Sequence, residues 1–390
     1  MKENSWLYAC AALAAGEGIA ASVPTFADAW PAVAVLFLLV SLFGYGFAVP
    51  GCRYVTLALF GCGLFFVSSL EREETYRTMP WLRGRKGKAV ACARASPLAR
   101  DLSRRVGLGL GHDRAAADLN RAILLGERRN LPWETRRAFV DSGTIHVFAI
   151  SGLHVMTVAN VLVSVLVLLT VPVRWAGLAA IPILWGYVSV IGSPPSAVRA
   201  ATMATFQCLA PVFWRRPNAV MAWSLTFLIV HVLSPRMITD VGCALSFAVM
   251  LAIVLAGRFV RWPEQSWRMR LWITFAAWAA GVPIAAHVFG RVTPGGMLAN
   301  IPLLFAAKFS VTMGTLGVLT SFLSVTVAAH LNNLSALFTR TMVGLSNAVA
   351  ALPFANFNTG EWSLAKCAAW YAVLVLVLYL VRSVRSRHLI

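Results

Sequence analysis

Residues 271–289 read LWITFAAWAAGVPIAAHVF, nineteen positions with no lysine, arginine or carboxylate. As a helix rising 1.5 Å per residue this stretch is roughly 28 Å long, close to the ~30 Å of a bilayer's hydrocarbon layer. A surface helix of a soluble protein would carry a polar stripe, and this one has none. Lipid is its solvent. The same pattern recurs across nearly the whole chain outside residues 71–144: of 390 residues, 59% are hydrophobic and 13% charged, which excludes a soluble globular protein. Strands of a membrane barrel would alternate with period two, and no such alternation occurs, so the spans are helices.

Working outward from 271–289, spans are expected near residues 6–23, 30–49, 54–70, 146–169, 175–191, 198–214, 220–233, 241–256, 297–319, 323–345 and 364–381. His330, Asn332, Asn333 and Arg340 interrupt the stretch at 323–345, which could instead lie in the membrane interface as an amphipathic helix. The expected fold is therefore an all-α integral membrane protein of about 11–12 transmembrane helices. Residues 1–70 form an N-terminal membrane segment of about three spans, 71–144 a basic insert after the third, and 145–390 a polytopic core.

Lysine and arginine in short loops favour the cytoplasm. An inside N-terminus puts twelve such charges inside (Lys2, Arg53, Arg174, Arg215, Arg216, Arg258, Arg261, Arg268, Arg270, Arg382, Arg385, Arg387). It leaves four outside (Arg199, Arg236, Arg291, Lys366). Both termini are then cytoplasmic and residues 71–144 extracytoplasmic. This insert carries 16 Lys and Arg against 9 Asp and Glu. Its first part is weakly strand-like. From Arg114 to Phe139 the apolar spacing predicts amphipathic helix, with Pro132 starting a second helix and the pair lying on the membrane surface. A net charge of +19 decides nothing by itself, because basic loops are ordinary in such proteins.

Apolar helices explain themselves; polar residues at membrane depth need a partner or a water-filled cavity. His146, Ser151, Gly152 and His154 crowd the start of the fourth span. Ser151 and His154, three apart, are expected to share a helix face, lining a path or bonding locally. Arg199 follows Gly192-Ser-Pro-Pro-Ser-Ala-Val one turn inside a helix start, where a cation opposes the helix dipole and calls for an anion, either a phosphate or Asp240. Asp240 itself begins a span, where a carboxylate is favourable without any function. Gly290 through Pro302 suggests a broken helix carrying Asn300, with Lys308 two turns deeper, either on a path or snorkelling. No P-loop, H-E-x-x-H, G-x-S-x-G or paired-cysteine zinc motif occurs, and a Ser151, His154, Asp240 triad is weak. The expectation is no enzyme, no cofactor and no metal.

Four segments in register resemble the ComEC competence membrane proteins. They are Ala122-Ile-Leu-Leu-Gly126-Glu127 with Ile150-Ser-Gly-Leu-His154, then Ser193-Pro-Pro-Ser-Ala-Val-Arg199-Ala-Ala, Asp240-Val-Gly-Cys-Ala-Leu-Ser246-Phe, and Leu298-Ala-Asn300-Ile-Pro302-Leu. The resemblance implies an inner-membrane channel for uptake of single-stranded DNA during natural transformation. It would work with a periplasmic DNA receptor and a cytoplasmic helicase or strand-binding protein, with a homodimer left open. A polyanion needs a basic mouth and a wet, polar path. Arg128, Arg129, Arg136 and Arg137 are the mouth candidates. His146, Ser151, Gly152, His154, Asn160, Arg199, Asp240, Ser246, Asn300 and Lys308 are the path candidates. Many relatives also carry an OB-like outer domain; residues 71–144 are shorter than that and only weakly strand-like, so a reduced OB fold is left open. Many also carry a metallo-β-lactamase-like domain, which is not expected in these 390 residues. The alternative is a secondary transporter or exporter of a small anionic solute.

Overall fold

The computed structural model describes residues 96–148, 150–216, 218–233, 241–259, 266–363 and 365–374. The first three expected spans, the first part of the insert, Arg236, Asp240 and the C-terminal tail lie outside the described residues. The chain is an all-α membrane protein. In order it forms α1 (Pro97–Val106), α2 (Arg114–Leu125), α3 (Trp133–Asp141), a 3-10 turn (Ile145–Val147), α4 (Gly152–Leu168), α5 (Val173–Val190) and α6 (Pro195–Leu209). These are followed by α7 (Ala219–Leu233), α8 (Val241–Phe259), α9 (Trp267–Phe289), β1 (Arg291–Val292), α10 (Gly295–Thr320), α11 (Val325–Ala350) and β2 (Phe357–Asn358). Residues 365–374 are helical again. The two short strands pair antiparallel, Arg291 opposite Asn358.

Among the described residues, α5, α9 and α10 are long and apolar enough to cross a membrane, and α4 is a shorter apolar helix. Each of the three long helices holds one proline, Pro182, Pro283 or Pro302. A proline has no N–H for the carbonyl four residues back, which in lipid must find another donor. At Pro283 the solution is visible: the freed Ala279 carbonyl accepts from Trp370 Nε1 at 2.9 Å, and Tyr371 Oη donates to Ala280 O at 2.8 Å. The 365–374 helix is thereby fastened to α9.

The chain divides into two compact units. Of the first (1–87 and 217–247), the described part is α7 with the start of α8. There Trp223 stacks on Phe227 at 5.4 Å, and its Nε1 donates to Phe247 O. Ser246 is half-buried in this unit.

The second unit (88–216 and 248–390) is built on a helical hairpin, α10 and α11, joined by a short turn at 321–324. One core runs through α2, α3, α4, α5, α6, α10 and α11, and includes Ile123, Phe139, Val155, Leu184, Ala201, Leu303 and Met342. The insert helices therefore belong to the core. Asp113 caps α2 by accepting from Ala116 N–H at 2.9 Å, and Gly126 closes it in the left-handed region. Pro132 stands at the N-cap of α3. The apolar faces of α2 and α3, expected on the lipid surface, are covered by α10 and α11. Leu124 sits so close to α10 that a Cβ at Gly314 would come within 2.3 Å of it.

A polar network crosses this interface. Asn120, Ser310, Asn332, Ser335 and Thr339 are each at most 1% exposed. Asn120 Nδ2 donates to Asn332 O at 3.0 Å, while Thr339 Oγ1 donates to Asn120 Oδ1 at 3.1 Å. Ser310 Oγ lies 2.8 Å from Thr339 Oγ1 and 3.1 Å from Ser335 Oγ. Asn332 Nδ2 donates to the carbonyls of Arg105 and Leu108, at the end of α1. Arg340 pairs with Asp113. Of the four residues that interrupted the hydropathy of α11, Asn332 and Arg340 thus face the insert, while His330 and Asn333 are exposed.

Candidate functional site

The fourth span begins later than its hydropathy suggests. Residues 145–147 form the 3-10 turn, Ser151 is extended (φ −99°, ψ 171°), and the helix starts at Gly152. Ser151 is the N-cap and not a residue of the helix itself, yet its side chain and that of His154 come together. His154, three residues on, closes a capping box: its Nδ1 accepts from Ser151 N–H at 3.2 Å and lies 2.9 Å from Ser151 Oγ. The turn before the helix is held against the start of α10. Gly143 has φ +73°, and a Cβ there would come within 2.5 Å of Thr293 Oγ1, so both backbone and space require glycine. Thr144 Oγ1 bridges Ser142 Oγ at 2.7 Å and Ser346 Oγ at 3.1 Å. Phe139 and Phe148 pack beneath, ring centroids 4.4 Å apart.

His146 sits in this turn, before the helix. Its side chain is exposed, yet enough protein surrounds it that desolvation pulls its pKa below the ordinary value, against hydrogen bonding from the Gly143 backbone and Asn300. The polar region that His146, Asn300 and His154 share beside the start of α4 is termed the recess. Asn300 comes from α10, where it is half-buried, and its Oδ1 lacks a partner of good hydrogen-bond geometry. His154 is fully buried, and Arg128 and His146 lie near enough to act on it electrostatically.

The hydrogen bonds of His154 fix its tautomer. A backbone N–H can only donate, so Nδ1 is the acceptor and carries no proton, and the neutral ring holds its hydrogen on Nε2. That Nε2 is buried with no hydrogen-bond partner. A buried donor left so costs about 1–3 kcal/mol. The recess therefore offers an unused donor (His154), an amide oxygen turned to His146 without a well-formed hydrogen bond (Asn300), an exposed imidazole (His146) and a guanidinium (Arg128).

Arg199 is 3% exposed on α6, the helix that packs on α4. A Cβ at Gly152 would lie 3.7 Å from Ala200, and Ser196 Oγ donates to Ile150 O at 2.7 Å. Its expected pairing with Asp240 lies outside the described residues. Ser246 belongs to the other unit. Lys308 is exposed on α10, two turns past Asn300, and Asn160 is exposed on α4, six residues past His154 and so on another side of the helix. The break expected at 290–302 is confined to 290–294: α10 is continuous from Gly295 through Pro302 to Thr320. Of the mouth candidates, Arg129 and Arg137 are exposed and Arg128 and Arg136 half-buried. Arg137 lies over the Trp133 ring at 5.1 Å and 3.4 Å from Asp141, which also meets Arg291 at 3.6 Å.

Sequence reasoning missed Asn120, Ser310, Ser335 and Thr339, and Gly143 as the docking point on α10. The φ of Gly143 and the partners of the others depend on tertiary contacts. Asn332 left a trace, as a polar break in an apolar stretch.

Apolar helices of spanning length, with a polar recess where a capped helix start meets the beginning of α10, define a polytopic membrane protein with a polar site among its helices. The chain belongs to the competence protein family, whose match covers residues 123–384, more than half of it. It is 26% identical over 168 residues to ComE operon protein 3 of Bacillus subtilis (strain 168), covering 43% of this chain and 22% of that one. It is 30% identical over 207 residues to an uncharacterized protein of Aquifex aeolicus (strain VF5), covering 52% and 47%. The chain thus matches less than half the length of either relative. No solved structure matches.

Proposed function

We propose that this protein takes part in DNA uptake during competence, as the inner-membrane channel through which one strand reaches the cytoplasm. The observation that carries the proposal is the recess: within the stretch matched to the competence family, a cation, two imidazoles and unused hydrogen-bonding atoms converge beside a capped helix start. A phosphate backbone needs such groups, because they replace its water and counterions without a fixed carboxylate trap. In this reading the protein catalyses no reaction. Both termini are cytoplasmic, an outer receptor delivers the strand, and a cytoplasmic helicase or strand-binding protein draws it in. Arg128, Arg129, Arg136 and Arg137 gather it at the mouth.

The test follows labelled, nuclease-protected DNA into the cytoplasm of a strain lacking the gene, complemented with wild type or Arg199→Ala at equal membrane abundance. Wild type restores import and Arg199→Ala does not. Normal import in the uncomplemented strain overturns the proposal and favours carriage of a small anionic solute, measured as saturable uptake.

A further inference from the structure

The capping box at the start of α4 does two things at once. It satisfies the Ser151 N–H, and it forces the imidazole hydrogen of His154 onto Nε2, the nitrogen with no partner. A helix cap alone would be served as well by a glutamate at this position, with no donor left over. Arg128 and the exposed His146 lie near enough to His154 to act on it electrostatically. A group matching one N–H donor, one guanidinium and a second imidazole is an oxyanion with several acceptor oxygens.

We propose that His154 Nε2–H, together with Arg128, holds a single phosphodiester group, and that the group enters from the side marked by His146. The inference rests on the DNA-uptake reading for its source of phosphodiester. The shared chemistry also fits a phospholipid headgroup, and the experiment separates the two. Ser151 is a positioning residue, since it fixes the tautomer and orientation of His154. In the present arrangement His154 is covered. Binding therefore moves the His146 side of the recess, and the phosphodiester takes up the donor that is now unused.

The test uses the full chain purified in uncharged detergent without phospholipid. Binding of a fluorescent single-stranded oligonucleotide is read by anisotropy, for the natural backbone and for one with neutral methylphosphonate linkages. His154→Asn keeps an amide at the level of Nδ1 and loses the distal donor, whereas His154→Gln restores a donor near the position of Nε2. The natural oligonucleotide is expected to bind about tenfold more weakly to His154→Asn, as loss of one charge-assisted hydrogen bond implies, and to be held within about threefold by His154→Gln. The neutral oligonucleotide should not distinguish the three proteins. Unchanged binding by a folded His154→Asn, or a His154 effect of equal size with the neutral backbone, overturns the proposal. Phosphatidylglycerol that abolishes the His154-dependent part at low occupancy assigns the site to lipid and overturns the strand assignment. In cells the two readings fail separately. Import by a His154→Asn strain equal to wild type removes this site and leaves the channel, whereas import without the gene removes the channel.

Discussion

Two buried polar regions of the second unit are made of similar residues and finish differently. Between α2, α10 and α11, Asn120 uses both its amide nitrogen and its oxygen, and Ser310, Ser335 and Thr339 pass hydrogen bonds among themselves. Asn332 Oδ1 is the exception, lying against the backbone where a Cβ at Gly317 would come within 2.5 Å. At the start of α4, by contrast, His154 Nε2 is left over and Asn300 Oδ1 has no partner of good hydrogen-bond geometry. A matched network in a low-dielectric interior holds helices in register, while an unmatched one carries a cost that only an incoming group can remove. The first region is read as structure and the second as a site.

The comparison can be broken most severely through Gly314. A Cβ there would meet Leu124 Cδ1 at 2.3 Å, so Gly314→Val should push α2 from α10 and cost about 3 kcal/mol in unfolding by denaturing detergent. Adding Leu124→Ala should recover part of that loss, because the clash disappears; a purely additive pair would mean that the insert does not dock through this contact. The asparagines sharpen the contrast directly. Asn120→Ala removes a partner from two hydroxyls and a carbonyl at fully buried positions, and is expected to cost about 2–3 kcal/mol. Asn300→Ala removes an oxygen whose interaction is a poorly formed one with the exposed His146, and should cost less than about 1 kcal/mol while lowering DNA import. Equal losses of stability would erase the distinction between the regions. Ser151→Ala, which leaves the Nδ1 bond to the backbone N–H and removes the hydroxyl, should cost about 1 kcal/mol as a weakened cap, measured the same way.

How much of this was legible in the sequence differs between the same two regions. Run length alone placed α5, α9 and α10 to within a few residues, since nothing but a spanning helix accommodates such stretches. The recess was legible as residue types, because His146, Ser151, His154 and Asn300 are conspicuous against apolar neighbours. Their geometry was not. Ser151 was expected on a helix face, but an N-cap differs from a first-turn residue only in its backbone angles, which hydropathy does not report. The matched network was least legible of all, because Asn120 sits in an amphipathic pattern that serves a lipid surface and a protein core equally. Only the partners on α10 and α11, some two hundred residues away, decide between them. The polar breaks in α11 pointed that way, since Asn332 and Arg340 turn toward the insert.

The smallest expected effect calibrates the others. Arg137 is 63% exposed and lies 3.4 Å from Asp141, whose carboxylate also meets Arg291 at 3.6 Å. Removing Arg137 leaves that carboxylate a second cation, and water takes up the rest, so Arg137→Ala should change stability by less than about 0.5 kcal/mol. The difference should shrink further as salt is raised, because the pair is open to solvent. A surface ion pair and a buried amide then stand several-fold apart on one scale, as the difference in desolvation requires. A loss at Arg137 as large as that at Asn120 would mean that burial does not set the cost in this protein. The unmatched atoms at His154 and Asn300 would then lose the physical reason for being read as a site.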